Sequence, residues 1–92
     1  MPKPLFRTGQ VVSTPGALEA MEQAGMDPRR LLTRHLAGDW GDVCEDDQKE
    51  NDYAVSRDLR IFSSYNLANG TKIWLITEAD RSATTFLLPE EY

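Results

Sequence analysis

Residues Ile73 to Ile76 read IWLI, four apolar side chains in succession. This short run restricts the fold more than any other. A strand points successive side chains to opposite faces, so a strand that is apolar at every position has to be covered on both. Just upstream stands Asn69-Gly70, the strongest short-range signal for a β-hairpin. A two-residue turn there pairs Ala68 with Thr71, Tyr65 with Trp74 and Ser63 with Ile76, and the Tyr65–Trp74 pair is expected to add cross-strand stabilisation. A second turn at EADRS leads into ATTFLL, which Pro89 ends. IWLI is then the central strand of a C-terminal antiparallel meander. Its second face is left to the chain ends, an acidic helix or a second copy of the chain.

The preceding residues read as helices. In STPGALEAMEQAG, Thr14 is a cap and Pro15 fits the first helical position, where its missing N–H costs nothing. Leu18 and Met21 give the apolar side, and Gly25 suits a left-handed stop. The pattern repeats with Asp27 as cap, Pro28 first, a stripe of Leu31, Leu32, His35 and Leu36, and Gly38 as stop. A third helix is expected within DWGDVCEDDQKENDYAV, with Asp42 as cap and Glu45 completing a capping box. Its apolar stripe is thin, so most of it should face water. QVVS, Gln10 to Ser13, is a short strand candidate, and residues 1–8, with two prolines in MPKP, are expected to fray. The expected class is α+β: two or three N-terminal helices followed by a three- to four-stranded antiparallel β-meander.

The chain has 92 residues and one Cys. That fits a single small domain over residues 1–92 without an internal disulfide, with a homodimer as one way to complete its core. No apolar run approaches the ~20 residues that span a bilayer, and MPKPLFRTGQ has no signal-peptide pattern. The expected setting is cytoplasmic, away from membranes. Net charge is −5 and unevenly spread. Residues 1–38 hold five basic against three acidic residues, whereas residues 39–52 hold seven carboxylates and only Lys49. A nucleic-acid binder would present a basic face. Arg29, Arg30 and Arg34 make only a modest stripe, which speaks against nucleic acid as the partner.

STPGALEA, HLAGDWGD and NGTKIWLITEADRSATTFLLPEEY together resemble a family of short bacterial proteins carried by plasmids and other mobile elements. These are labelled plasmid-related proteins and sometimes type I restriction enzyme subunits. The likeness runs from about Leu5 onward. It implies a mobile-element setting and brings no reaction with it. The chain has no methyl-donor-binding glycine loop and no methylase-type motif that would go with the restriction label.

HLAGDWGDVCEDDQKEND, from His35 to Asp52, concentrates the residues able to do chemistry. Zinc needs three or four ligands at close spacings, and His35 and Cys44 stand alone nine residues apart. A calcium loop counted from Asp46 lacks the glycine at its sixth position and the glutamate at its twelfth. No metal and no cofactor is expected. Glu45, Asp46 and Asp47 oppose a thiolate at Cys44, which reads as a half-buried structural cysteine. His35 reads as a packed, hydrogen-bonded side chain. Trp40 is either a lid on the core or an exposed anchor, since tryptophan is enriched at binding hot spots.

Two functions follow. The first is a non-enzymatic protein-binding or regulatory module. Its acidic surface would comprise Asp39, Trp40, Asp42, Glu45, Asp46 and Asp47 and would capture a basic partner; Trp40→Ala is expected to weaken it. The alternative rests on architecture: helices before a meander resemble small metal-independent ribonucleases of the RelE, barnase and colicin D type. That resemblance implies His35, Arg81, Thr84 or Thr85, and Tyr65 as the catalytic group. His35 would move a proton and Arg81 would hold phosphate charge.

Overall fold

The computed structural model describes residues 3–92. The chain is α+β, with three helices before the meander. A strand β1 (Gln10–Ser13) precedes helices α1 (Pro15–Gln23), α2 (Pro28–Leu36) and α3 (Glu45–Val55). Strands β2 (Ile61–Asn66), β3 (Lys72–Thr77) and β4 (Ala83–Leu87) follow, with a short 3-10 turn at Pro89–Glu91. The sheet order is β1-β4-β3-β2. β2, β3 and β4 form the expected antiparallel meander, but β1 adds to β4 in parallel, so the sheet is mixed rather than antiparallel. α1 and α2 carry the chain back between β1 and the meander, which permits the parallel pairing.

Local signals set the first two helices. The Thr14 hydroxyl accepts the Ala17 N–H, Asp27 accepts the Arg29 N–H, and a proline follows each cap. Gly25 and Gly38 end them at φ +68° and +85°. On α1 the buried side is Ala17 and Met21; Leu18 is 52% exposed, one helical step off the expected stripe. α3 starts two residues later than expected, with Cys44 at its cap and no side-chain cap bond. Asp42 is engaged elsewhere. Its N–H bonds the Ser64 carbonyl, and its carboxylate accepts from Asn66 and Lys72.

The hairpin register also differs from the sequence expectation. The loop has three residues, Ala68 to Gly70: Gly70 N–H bonds the Leu67 carbonyl, and Leu67 N–H bonds the Thr71 carbonyl. A type I turn followed by a left-handed glycine, here at φ +84°, is the usual three-residue hairpin loop. The extra residue shifts the pairing by one, so Tyr65 faces Ile73 and Ser64 faces Trp74. A shift of one residue reverses faces. Tyr65 therefore lies on the helix side and Trp74 on the other.

On the helix side, Tyr65, Leu67, Ile73, Leu75 and Phe86 pack with Ala17, Met21 and Leu31. A second cluster joins Phe6, Trp40, Ala54 and Ile61. Residues 5–8 are thus docked rather than frayed: Leu5 N–H bonds the Leu36 carbonyl and Phe6 is buried. The fraying expected for Met1 and Pro2 lies outside the described residues.

The opposite face carries the row Phe62, Ile76, Thr85, Val12 and, beside it, Ser64, Trp74, Leu87. Ile76 and Leu87 are buried, Phe62 and Trp74 half-buried, and Val12 exposed. None of these residues belongs to the two core clusters; α3 residues and Tyr92 border this face at Phe62 and Trp74. The outer edge of β2 is closed by side chain and loop. The Asn51 amide both donates to the Phe62 carbonyl (2.6 Å) and accepts its N–H (3.1 Å). The Trp40 carbonyl and Asp42 N–H take the two outward groups of Ser64. This protects an edge that would otherwise invite strand addition.

Candidate functional site

His35 is fully buried. Nδ1 lies 2.5 Å from the Ser63 hydroxyl and Nε2 lies 2.9 Å from that of Thr77. Thr77 is 2.8 Å from the Thr84 hydroxyl, which donates to the Thr8 carbonyl at 2.9 Å. The carbonyl can only accept, and this fixes every direction in the chain. Thr84 gives its proton to Thr8, Thr77 to Thr84, His35 Nε2–H to Thr77, and Ser63 to a bare Nδ1. A neutral imidazole satisfies all of it. Burial, with Arg81 adding repulsion, pushes the His35 pKa down to about 3. Phe6 and Trp40 close over the ring edge-to-face, at 5.2 and 5.8 Å between centroids.

The residues of the ribonuclease reading are therefore dispersed. Thr84 joins His35 only through Thr77, and Thr85 lies on the opposite face. Tyr65 donates to the Asp39 carbonyl at 2.7 Å, and burial pushes its pKa up to about 12. Arg81 donates to the carbonyls of Leu59, Ala54, Glu78 and Ala79, and its guanidinium covers the Phe6 ring. It ties the end of α3 to the β3–β4 turn, so its guanidinium is engaged with backbone carbonyls and is not free to hold a phosphate. Arg81 also sits at φ +60°. Arg81→Ala is expected to cost about 2–3 kcal/mol in urea unfolding. Arg81→Gly should cost about 1 kcal/mol less, because glycine relieves the left-handed backbone.

The acidic surface is also rearranged. Trp40 is 4% exposed, and its indole N–H donates to Asp52 at 3.0 Å. It is the lid on the core and not the surface anchor, because the strand-like stretch 40–42 lays it against Ile61 and Phe6. Asp39 pairs with Arg34 at 2.7 Å, which holds its carboxyl below the usual range. The Asn66 and Lys72 hydrogen bonds do the same for Asp42. Glu45 pairs with Lys49 on the exposed side of α3. Cys44 is exposed rather than half-buried, since the later helix start turns it outward.

Asp46 is exposed on α3 outside any aromatic contact, and Asp47 and Glu50 border a different set of aromatics. Asp47 and Glu50 of α3, with Arg60, Phe62, Trp74 and Tyr92, line a groove of about 360 Å³ on the open sheet face. Phe62 and Trp74 meet edge-to-face at 5.0 Å, and Trp74 and Tyr92 at 5.7 Å. The Arg60 guanidinium lies over the Tyr92 ring at 4.9 Å. Sequence reasoning missed this site because the two-residue turn paired Trp74 with Tyr65 across the hairpin, whereas the three-residue loop pairs it with Ser64, on the face away from Tyr65. The legible signal was IWLI itself, whose second face had no assigned cover.

Among the described residues, no three or more His, Cys, Asp or Glu side chains are placed to hold a metal ion. No described helix is long and apolar enough to cross a membrane. Comparisons with protein-family models, curated proteins and solved structures give no match.

Proposed function

We propose that the chain is a non-enzymatic protein-binding module, acting in the cytoplasm in the mobile-element setting that its sequence resemblance implies. Its docking surface is the acidic face of α3 together with the adjoining open face of the sheet. One observation carries this reading: half-buried Phe62 and Trp74 stand on the sheet face outside the two core clusters, bordered by the α3 carboxylates Asp47 and Glu50. Protein interfaces combine such an aromatic centre with a polar rim. A ring of acid steers a basic partner and makes its capture depend on salt. The buried, neutral His35 supports this reading over catalysis, since a proton-transferring group has to reach its substrate.

The test is capture by the tagged protein, followed by measured affinity for the captured partner. Affinity is expected to fall roughly tenfold between about 50 and about 300 mM salt. Reversing Asp46 and Asp47 to Lys should abolish capture, while Glu22→Lys, on exposed α1, leaves it intact. Equal binding by both variants would sink the proposal. Trp40→Ala is no longer informative, because it opens the core instead of trimming a surface.

A further inference from the structure

Asp39, Asp42 and Glu45 each have a cationic partner within the chain. Among the described residues Asp47 and Glu50 have none, although both line a groove that contains Arg60. They stand one helical turn apart on α3, on the side that reaches β2 through Asn51. Across from them are Phe62, Trp74 and Tyr92, whose edge-to-face contacts hold the rings at steep angles to one another. Aromatic faces attract cations, and flat guanidinium groups also stack on them. Two unneutralised carboxylates beside three rings supply both halves of such a site.

The protein's own side chain shows what the rings accept. Arg60 already lays its guanidinium on Tyr92, yet makes no ion pair with Asp47 or Glu50. It occupies one ring and leaves the acids open. We propose that this groove is a recognition site for an arginine side chain of a protein partner. The incoming guanidinium would stack against Trp74 and Tyr92, bond Asp47 and Glu50, and displace Arg60. The inference rests on the protein-binding reading and names the chemical group that such a partner inserts. A groove of this volume stands at the lower end of ligand-site sizes, about 300–1,000 Å³, which suits a single long side chain.

The probe is a short capped peptide with a single arginine, titrated into labelled protein. Its controls carry citrulline, the neutral isostere, or lysine. The arginine peptide is expected to shift the Trp74 indole N–H and leave that of Trp40 unmoved. Citrulline and lysine peptides should bind roughly 3- to 10-fold more weakly. Tyr92→Ala should weaken arginine binding by a similar factor; Tyr92 is 69% exposed, so the fold is not at risk. Arg60→Ala should tighten binding about threefold or more by freeing the Tyr92 face, whereas Arg57→Ala, the same loss of charge on the neighbouring Tyr53, should not.

Equal binding of the citrulline peptide, or equal effects of Arg60→Ala and Arg57→Ala, would overturn the site. A captured partner indifferent to Tyr92→Ala and Arg60→Ala overturns it as well, while leaving the protein-binding reading intact. Selective arginine binding with no protein partner captured does the reverse.

Discussion

Between pH 6.5 and pH 4 the protein is expected to lose on the order of 3 kcal/mol of stability, at up to about 1.4 kcal/mol per pH unit. The cause is His35. Unfolded, it titrates near 6.5; folded, its pKa is about 3. Across that window the unfolded chain binds a proton that the folded chain refuses. Stability must therefore rise with pH, with nothing lost above the unfolded pKa and the full cost reached below the folded one. Protonation would also place a second N–H against the Ser63 hydroxyl, which now donates to Nδ1, and break the single direction of the hydrogen-bond chain. Arg81 is the charged neighbour that opposes it; the rings of Phe6 and Trp40 shield it from water. The carboxylates with lowered values, among them Asp39 and Asp42, act in the same direction but start from 3.8. They contribute only at the acid end. Urea midpoints measured at half-unit steps of pH would show the slope. His35→Gln should begin about 2–4 kcal/mol less stable and lose the slope between pH 6.5 and 4.5. A wild-type midpoint that stays flat over that interval would contradict a buried, neutral His35.

A second large effect is expected at Gly41. Its φ is +75°, and an added methyl would lie 2.1 Å from the Ser64 carbonyl oxygen and 2.7 Å from the Tyr65 ring. The first of these is backbone in a strand and cannot swing aside. Gly41→Ala should cost about 3 kcal/mol or more, by forcing residues 40–42 off the edge of β2. That release would uncover the outward groups of Ser64 and lift Trp40 from the core. Gly70 provides the comparison. It has φ +84° but nothing within 4 Å of an added methyl, so Gly70→Ala should cost only the backbone penalty of about 1–2 kcal/mol. Urea unfolding measures the difference. Faster amide exchange at Asp42 and Ser64 would localise it, and concentration-dependent self-association would report the opened edge.

How much of the candidate site was legible follows from the same geometry. His35 was readable as a packed histidine because it falls on the helical stripe with Leu31. That it bonds Ser63 and Thr77 was not readable, since those partners arrive from strands 28 and 42 residues away. The outcome for both tryptophans follows from the placement of β2: Trp40 takes the lid alternative, and Trp74 loses its expected pairing with Tyr65. The free edge of that strand captured residues 40–42 and turned Trp40 inward. Its three-residue loop moved the register by one and turned Trp74 outward.

What the sequence alone determined was local. Thr14-Pro15 and Asp27-Pro28 start their helices, and Gly25 and Gly38 end them, because caps and left-handed stops are satisfied within a few residues. β1 and the order of the meander were legible from short-range pattern in the same way. Only the tertiary structure decided that β1 runs parallel to β4, that α3 begins at Glu45, and that Asp47 and Glu50 line one groove with Trp74 and Tyr92. Each depends on which distant backbone groups compete for the same partner. Such competition is settled by packing across the sheet, and no neighbouring residue records it.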